Sequence, residues 1–106
     1  MKKKQFKIEL SDEAESDFDK SYQYYANENE KIADNFYKQI NNGFEKISQN
    51  PLANSKVYKE IRKHVTKKFP FVIYYQLKDL IVQVIAIFHT SRNPSIWQER
   101  TDKKEV

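Results

Sequence analysis

Two apolar runs inside Lys67–Pro94 (KKFPFVIYYQLKDLIVQVIAIFHTSRNP) constrain the fold more than any other feature of this sequence. Phe69–Tyr75 and Leu80–Phe88 are rich in Val, Ile, Phe and Tyr, which suit a pleated, half-buried surface. The polar break between them, Gln76–Asp79, has an ordinary hairpin length. The pattern predicts two long antiparallel strands. In the second run Leu80, Val82, Val84, Ala86 and Phe88 fall on one face and Ile81, Ile85 and Ile87 on the other, with Gln83 as the polar exception. A strand apolar on both faces belongs in the middle of a sheet. It stops at His89-Thr-Ser-Arg92-Asn-Pro94, so ionisable residues stand where a rigid strand leaves the core, a good place to mount chemistry.

The rest of the chain fits around that pair. Phe6–Leu10 alternates apolar and charged residues and reads as a short strand. Ser11 is placed to cap a helix over Asp12–Ala26, with Asp12 and Glu13 in its first turn. Ala14, Phe18, Tyr22 and Tyr25 form its apolar stripe. A second helix starts near Glu30, carries Ile32/Ala33, Phe36, Ile40, Phe44 and Ile47, and ends at Asn50-Pro51. Gly43 inside it costs about 1 kcal/mol relative to Ala. After a loop at Pro51–Lys56, Val57–Val65 reads as an outer strand with mixed faces. Pro94–Arg100 is expected to form a short helix docking Ile96 and Trp97, and Thr101–Val106 a frayed tail. The order is β-α-α-β-β-β: an α+β, two-layer fold with a helical hairpin packed on a mainly antiparallel sheet, in one domain over residues 1–106.

Composition narrows the function classes. With no cysteine there is neither a disulfide nor a thiolate metal site, which suits a reducing compartment. Met1–Lys4 is basic, but no apolar segment follows it, and no run reaches the roughly 20 residues of a membrane span. A cytoplasmic location without membrane attachment is expected. One glycine excludes glycine-rich phosphate loops, and no serine sits on a nucleophile elbow. Two histidines without thiols make a poor metal set, so neither metal nor cofactor is expected. Glu13, Glu15 and Asp17 are assigned to a solvated helix face, and Tyr22, Tyr25 and Tyr37 to core packing.

The net charge of +4 is mild, but Lys56, Lys59, Arg62, Lys63, Lys67 and Lys68 crowd one stretch against the single acid Glu60. This is either a surface for an acidic or phosphate-rich partner or a protected strand edge. Lys59, Lys63, Lys67 and Lys68 are the binding candidates. Only one catalytic set suggests itself. Glu60 or His89 could exchange protons and Arg62 and Arg92 could hold phosphate, provided the strand ends meet, as RNA cleavage through a 2′-hydroxyl requires. The structural alternative has His89 capping a strand end and Arg92 pairing with an acid of the last helix.

These residues bear a resemblance to the RelE/ParE superfamily of bacterial toxins from type II toxin–antitoxin modules. It is carried by Ile8-Glu-Leu-Ser-Asp-Glu-Ala-Glu, Ile47-Ser-Gln-Asn-Pro51, Ile61-Arg62 with Phe69-Pro-Phe-Val-Ile-Tyr-Tyr75, and Val84-Ile-Ala-Ile-Phe-His89 with Arg92-Asn-Pro94, Trp97 and Arg100. The resemblance implies the compact fold already read and a cognate antitoxin partner. Two targets are open within it. RelE-like members cut mRNA on the ribosome with basic residues and an acid–base group, whereas ParE-like members poison DNA gyrase and lack that set. Lys59 and Arg62 resemble the basic positions of the ribonuclease branch. Phe71, however, stands where that branch commonly has an arginine. The His-x-x-Arg-Asn-Pro ending is similar to the ParE or plasmid-stabilisation branch, so a gyrase-binding toxin is the expectation. A ribosome-dependent mRNA endonuclease is the alternative, and an inactive member that merely binds an antitoxin-like partner is a third reading.

Overall fold

The computed structural model describes residues 5–104. The elements are β1 (Lys7–Leu10), α1 (Asp12–Glu28), α2 (Glu30–Gln49), β2 (Lys56–Tyr58), β3 (Ile61–Val65), β4 (Phe71–Lys78), β5 (Ile81–His89) and α3 (Ser95–Lys104). The five strands form one sheet in the order β1-β5-β4-β3-β2. β1 runs parallel to β5, and every other neighbouring pair is antiparallel. The fold is α+β, with three helices on a mostly antiparallel sheet, as the alternation and helical stripes predict.

α1 and α2 are joined through a single residue. Ser11 Oγ accepts the Ala14 N–H at 3.1 Å and starts α1. Asn29 then serves both helices. Its N–H bonds the Tyr25 carbonyl at 2.8 Å, and its Oδ1 accepts the Lys31 N–H at 2.8 Å. α1 therefore runs two residues beyond the expected Ala26. The hairpin lays Ala14, Phe36, Ile40 and Ile47 on one face of the sheet, against Phe71, Ile73, Tyr75, Val82, Val84 and Ile87. Phe36 is the aromatic centre, 4.8–5.7 Å by ring centroids from Phe71, Tyr25, Phe18 and Phe69.

Several expectations need correction. First, β5 does not keep one alternation. Tyr74 pairs with Ala86 and Tyr75 with Val84, so Ile85 is an extra residue and the strand bulges. Val82 and Val84 face the hairpin as expected. Ala86 and Phe88 instead face the other side, where they pack with Ile61, Ile85 and Trp97. α3 covers that second face, so the sheet is enclosed by helices on both sides. Trp97 stacks on Tyr74 with centroids 4.3 Å apart.

Second, Val57–Val65 is two strands. Lys59 adopts a positive φ of 50° and turns the chain at Lys59-Glu60. The central hairpin likewise turns at Asp79-Leu80, with Asp79 at φ 57°, rather than at Gln76–Asp79. Gln76 is in β4 and donates to Gln83 across the pair at 2.9 Å. Third, α3 continues from Thr101 to Lys104, inside the segment expected to be a tail. Thr101 is buried, and Asp102 accepts the Tyr58 hydroxyl at 2.9 Å. Fourth, Tyr37 is 50% exposed and not core, whereas Tyr22 and Tyr25 do pack on the core. Met1–Lys4 and residues 105–106 lie outside the described residues. Among the described residues, no helix is long and apolar enough to cross a membrane.

Candidate functional site

The end of β5 is held together by one buried acid. β1 pairs with β5 only over Ile81–Val84, so among the described residues no strand covers the outer edge of β5 from Ile85 onward. Exposed edge groups must find partners or be lost to water. Helices supply them here. Ser11 N–H bonds the Val84 carbonyl at 3.0 Å, Arg100 donates to the Ile85 carbonyl at 3.1 Å, and Asp17 Oδ2 accepts the Ile87 N–H at 3.1 Å. Asp17 is 6% exposed and takes both terminal nitrogens of Arg100, at 2.7 and 3.0 Å, in a fork geometry. Arg92 stands 3.7 Å from the same carboxylate and lies over the Phe88 ring at 3.9 Å. Asp17 is therefore not the solvated acid expected, whereas Glu13 and Glu15 are exposed. Arg92 pairs with this first-helix acid and not with one from the last helix. The missed signal is spacing: Asp17 lies three residues after Ala14 and beside Phe18, on the flank of the buried stripe.

The candidates for RNA cleavage fall into two groups. His89 and Arg92 stand at one end of β5. His89 is exposed, its Nδ1 lies 2.7 Å from Ser91 Oγ and 3.1 Å from the Ser91 N–H, and its ring meets Phe71 edge-on. Arg62 aligns with Tyr75, which aligns with Val84. It is thus four β4 positions from Phe71, the partner of His89, or roughly 13 Å along the strands and two strand spacings across. Its guanidinium donates to the Asn54 carbonyl. Glu60 lies still further off, in the β2–β3 turn, paired with Lys56 at 2.7 Å, which holds its carboxyl below the usual range. Arg62 and His89 share the hairpin face of the sheet, as their partners Tyr75 and Phe71 show, but the shared end required for these groups to act together is not formed.

The lysines also divide. Lys59 pairs with Asp102 at 2.7 Å and so ties the β2–β3 turn to α3. Lys63 is exposed on the α3 side of the sheet, opposite Tyr74. Lys67 and Lys68 are exposed and join Lys46 of α2 along a groove between α2 and β3. Gln39, Asn42, Gly43, Gln49, His64 and Thr66 complete its walls, with Glu45 the one acid among three lysines. β2 pairs only with Ile61 and Arg62, so among the described residues no strand pairs the outer edge of β3 from Lys63 to Val65, beside this groove. Lys46 is the member that the sequence reading missed, because it lies on a helix remote in sequence from the basic stretch.

Gly43 sets the depth of that groove. A Cβ built there would lie 2.8 Å from Ile73 Cδ1 and 3.3 Å from the His64 ring. Only the absence of a side chain lets α2 approach the sheet so closely. His64 is consequently half-buried, 3.4 Å from Asn54 Nδ2, and burial together with the Lys46 charge lowers its pKa, so the ring is neutral near pH 7. Asn54 also donates to the Tyr75 hydroxyl, which bonds the Pro51 carbonyl at 2.7 Å. Gly43→Ala is expected to destabilise the protein by about 1 kcal/mol, because overpacking against Ile73 outweighs the gain in helix propensity. Urea unfolding checks this, and a stabilised variant would show that the groove wall yields freely.

Among the described residues no three His, Cys, Asp or Glu side chains gather as a metal site. What the geometry offers is surface recognition: a basic groove beside an open strand edge, and a β5 end locked by Asp17.

The elements define a small α+β protein with helices on both faces of its sheet. A model of the family described as "ParE toxin of type II toxin-antitoxin system, parDE" matches residues 8–94. The chain belongs to this ParE toxin family. Among solved structures it is similar to a chain of the chromosomal ParDE toxin–antitoxin system from P. aeruginosa, with a TM-score of 0.69 and 16% identity over 80% of this chain and 96% of that one. At that identity the likeness speaks for the fold. No curated protein matches the chain by sequence.

Proposed function

We propose that this ParE-family toxin acts in the cytoplasm by binding a protein target, DNA gyrase, and that an antitoxin neutralises it by folding onto the groove between α2 and β3. The observation that carries the first part is the separation of the ribonuclease candidates. Cleavage needs a base, an acid and phosphate-holding cations within hydrogen-bond reach of one reacting phosphate. Here Arg62 and Glu60 are engaged at one end of the sheet, and His89 and Arg92 lie at the other. Residues tied into the fold in this way serve recognition surfaces better than a proton relay.

The second part rests on Lys46, Lys67 and Lys68 standing beside unpaired β3 backbone. An acidic segment that adds a strand to this edge would gain main-chain hydrogen bonds and charge steering together. Both parts have a test. Purified toxin is expected to leave mRNA intact on translating ribosomes. Lys67→Glu with Lys68→Glu is expected to slow antitoxin association about tenfold or more at low salt. Cleavage that His89→Ala and Arg92→Ala each abolish, with melting unchanged, would install the endonuclease instead. Unchanged association at low salt would move the antitoxin to another surface.

A further inference from the structure

The solvent side of the helical hairpin carries a second groove, which shares no residue with the basic one. Phe18, Asp19, Tyr22 and Gln23 of α1 line it together with Asp34 and Tyr37 of α2. Helical spacing puts them there: Asp19, Tyr22 and Gln23 stand at i, i+3 and i+4, and Asp34 and Tyr37 at i and i+3. Phe18 stacks on Tyr22 with centroids 6.1 Å apart and meets Tyr37 edge-on at 5.8 Å. Phe18 is also stacked on Phe36 at 5.4 Å, so the rings available along the groove are Tyr22 and the half-exposed Tyr37. Asp19 and Asp34 are exposed, and among the described residues neither has an ion-pair partner.

This is the chemistry of a cation receptor. Aromatic faces attract an ammonium or guanidinium within about 6 Å of the ring centre. Two carboxylates along the same groove add to that attraction. α1 adds to the negative field with five acids besides the Arg100-paired Asp17 (Asp12, Glu13, Glu15, Asp19 and Glu28) against Lys20, while α2 is balanced at three acids and three lysines. An acidic segment would be repelled, and an apolar helix would have to desolvate two unpaired carboxylates.

We propose that this groove receives an arginine side chain from a basic segment of the toxin's protein target. Arginine fits better than lysine, since its planar guanidinium can stack on a ring and fork to a carboxylate at once. The assignment of the partner as the target rests on the reading of the chain as a binding toxin. Among the groove residues, Tyr37 has no other evident role, since half its surface is open to water.

The test titrates the full-length toxin with acetyl-arginine amide and, separately, with its uncharged isostere acetyl-citrulline amide, followed by NMR. Saturable shifts at Tyr22, Tyr37, Asp19 and Asp34 are expected with arginine alone. Tyr37→Ala and the isosteric Asp34→Asn should each weaken them about threefold or more. Equal responses to citrulline, or shifts centred elsewhere, would overturn the site. In cells, both variants are expected to lose about tenfold in growth inhibition while still binding antitoxin and melting like wild type. Full toxicity of both would overturn the role in target docking. A wild type that takes arginine in this groove but inhibits no growth would keep the site and sink the binding-toxin reading, so the two failures are distinct.

Discussion

Asp17→Ala is expected to lower stability by about 3–5 kcal/mol, the usual cost of removing one partner from a buried ion pair. The size of the effect follows from what the carboxylate holds. It receives the Arg100 fork and the Ile87 N–H, and it stands beside Arg92. Its loss would leave a largely buried guanidinium without its counter-charge and an edge amide of β5 without an acceptor. Asp17→Asn keeps the shape and should cost less than Asp17→Ala. In urea unfolding, the double substitution with Arg100→Ala is expected to cost clearly less than the two single losses combined, because the groups act on each other. A loss below about 1 kcal/mol for Asp17→Ala would show that the β5 edge is held by something else.

Phe88→Ala is expected to cost about 3–5 kcal/mol, for a different reason. Phe88 is 1% exposed and packs against the α3 side of the sheet. Its ring is also the platform beneath Arg92 and Arg100, at 3.9 and 5.0 Å. Truncation therefore opens a cavity and removes the surface on which both arginines rest. Trp97, the only tryptophan, lies in the same cluster, so its fluorescence reports α3 docking directly. The variant is expected to unfold at lower urea concentration with its Trp97 emission already shifted toward that of exposed indole. A wild-type emission and a loss below about 1 kcal/mol would place Phe88 outside the core.

The parts of this fold that were legible in the sequence are those with long, regular periodicity. The α1 and α2 stripes and the two apolar strands announce themselves, because each buried face repeats over several turns or pleats. Local backbone geometry did not. The bulge at Ile85 comes from strand pairing across the sheet, and nothing in Val84-Ile-Ala-Ile marks it. The turn at Lys59-Glu60 uses a positive φ at a lysine, where a glycine or asparagine would have signalled it. As a result, one expected strand became two, and the face assignments of Ala86, Ile87 and Phe88 were reversed.

The candidate site was legible as a list of residue types but not as an arrangement. His89, Arg92, Arg62 and Glu60 are the right kinds of group for RNA chemistry. Whether they meet depends on register, and register separates them. Asp17 was assigned to solvent because it sits among exposed acids. Its burial depends on Arg100, which lies 83 residues away, a pairing that no local pattern encodes. The Lys46 contribution to the basic groove is hidden for the same reason.

The central claim is that this toxin works by capturing a protein and not by cutting RNA. The most direct measurement incubates purified toxin with DNA gyrase, ATP and closed circular plasmid, then denatures the protein and removes it with protease. Linear plasmid is expected, released from trapped gyrase–DNA cleavage complexes, in proportion to added toxin and suppressed by antitoxin. Plasmid that is fully supercoiled by gyrase and never linearised, at toxin concentrations that arrest growth, would contradict it.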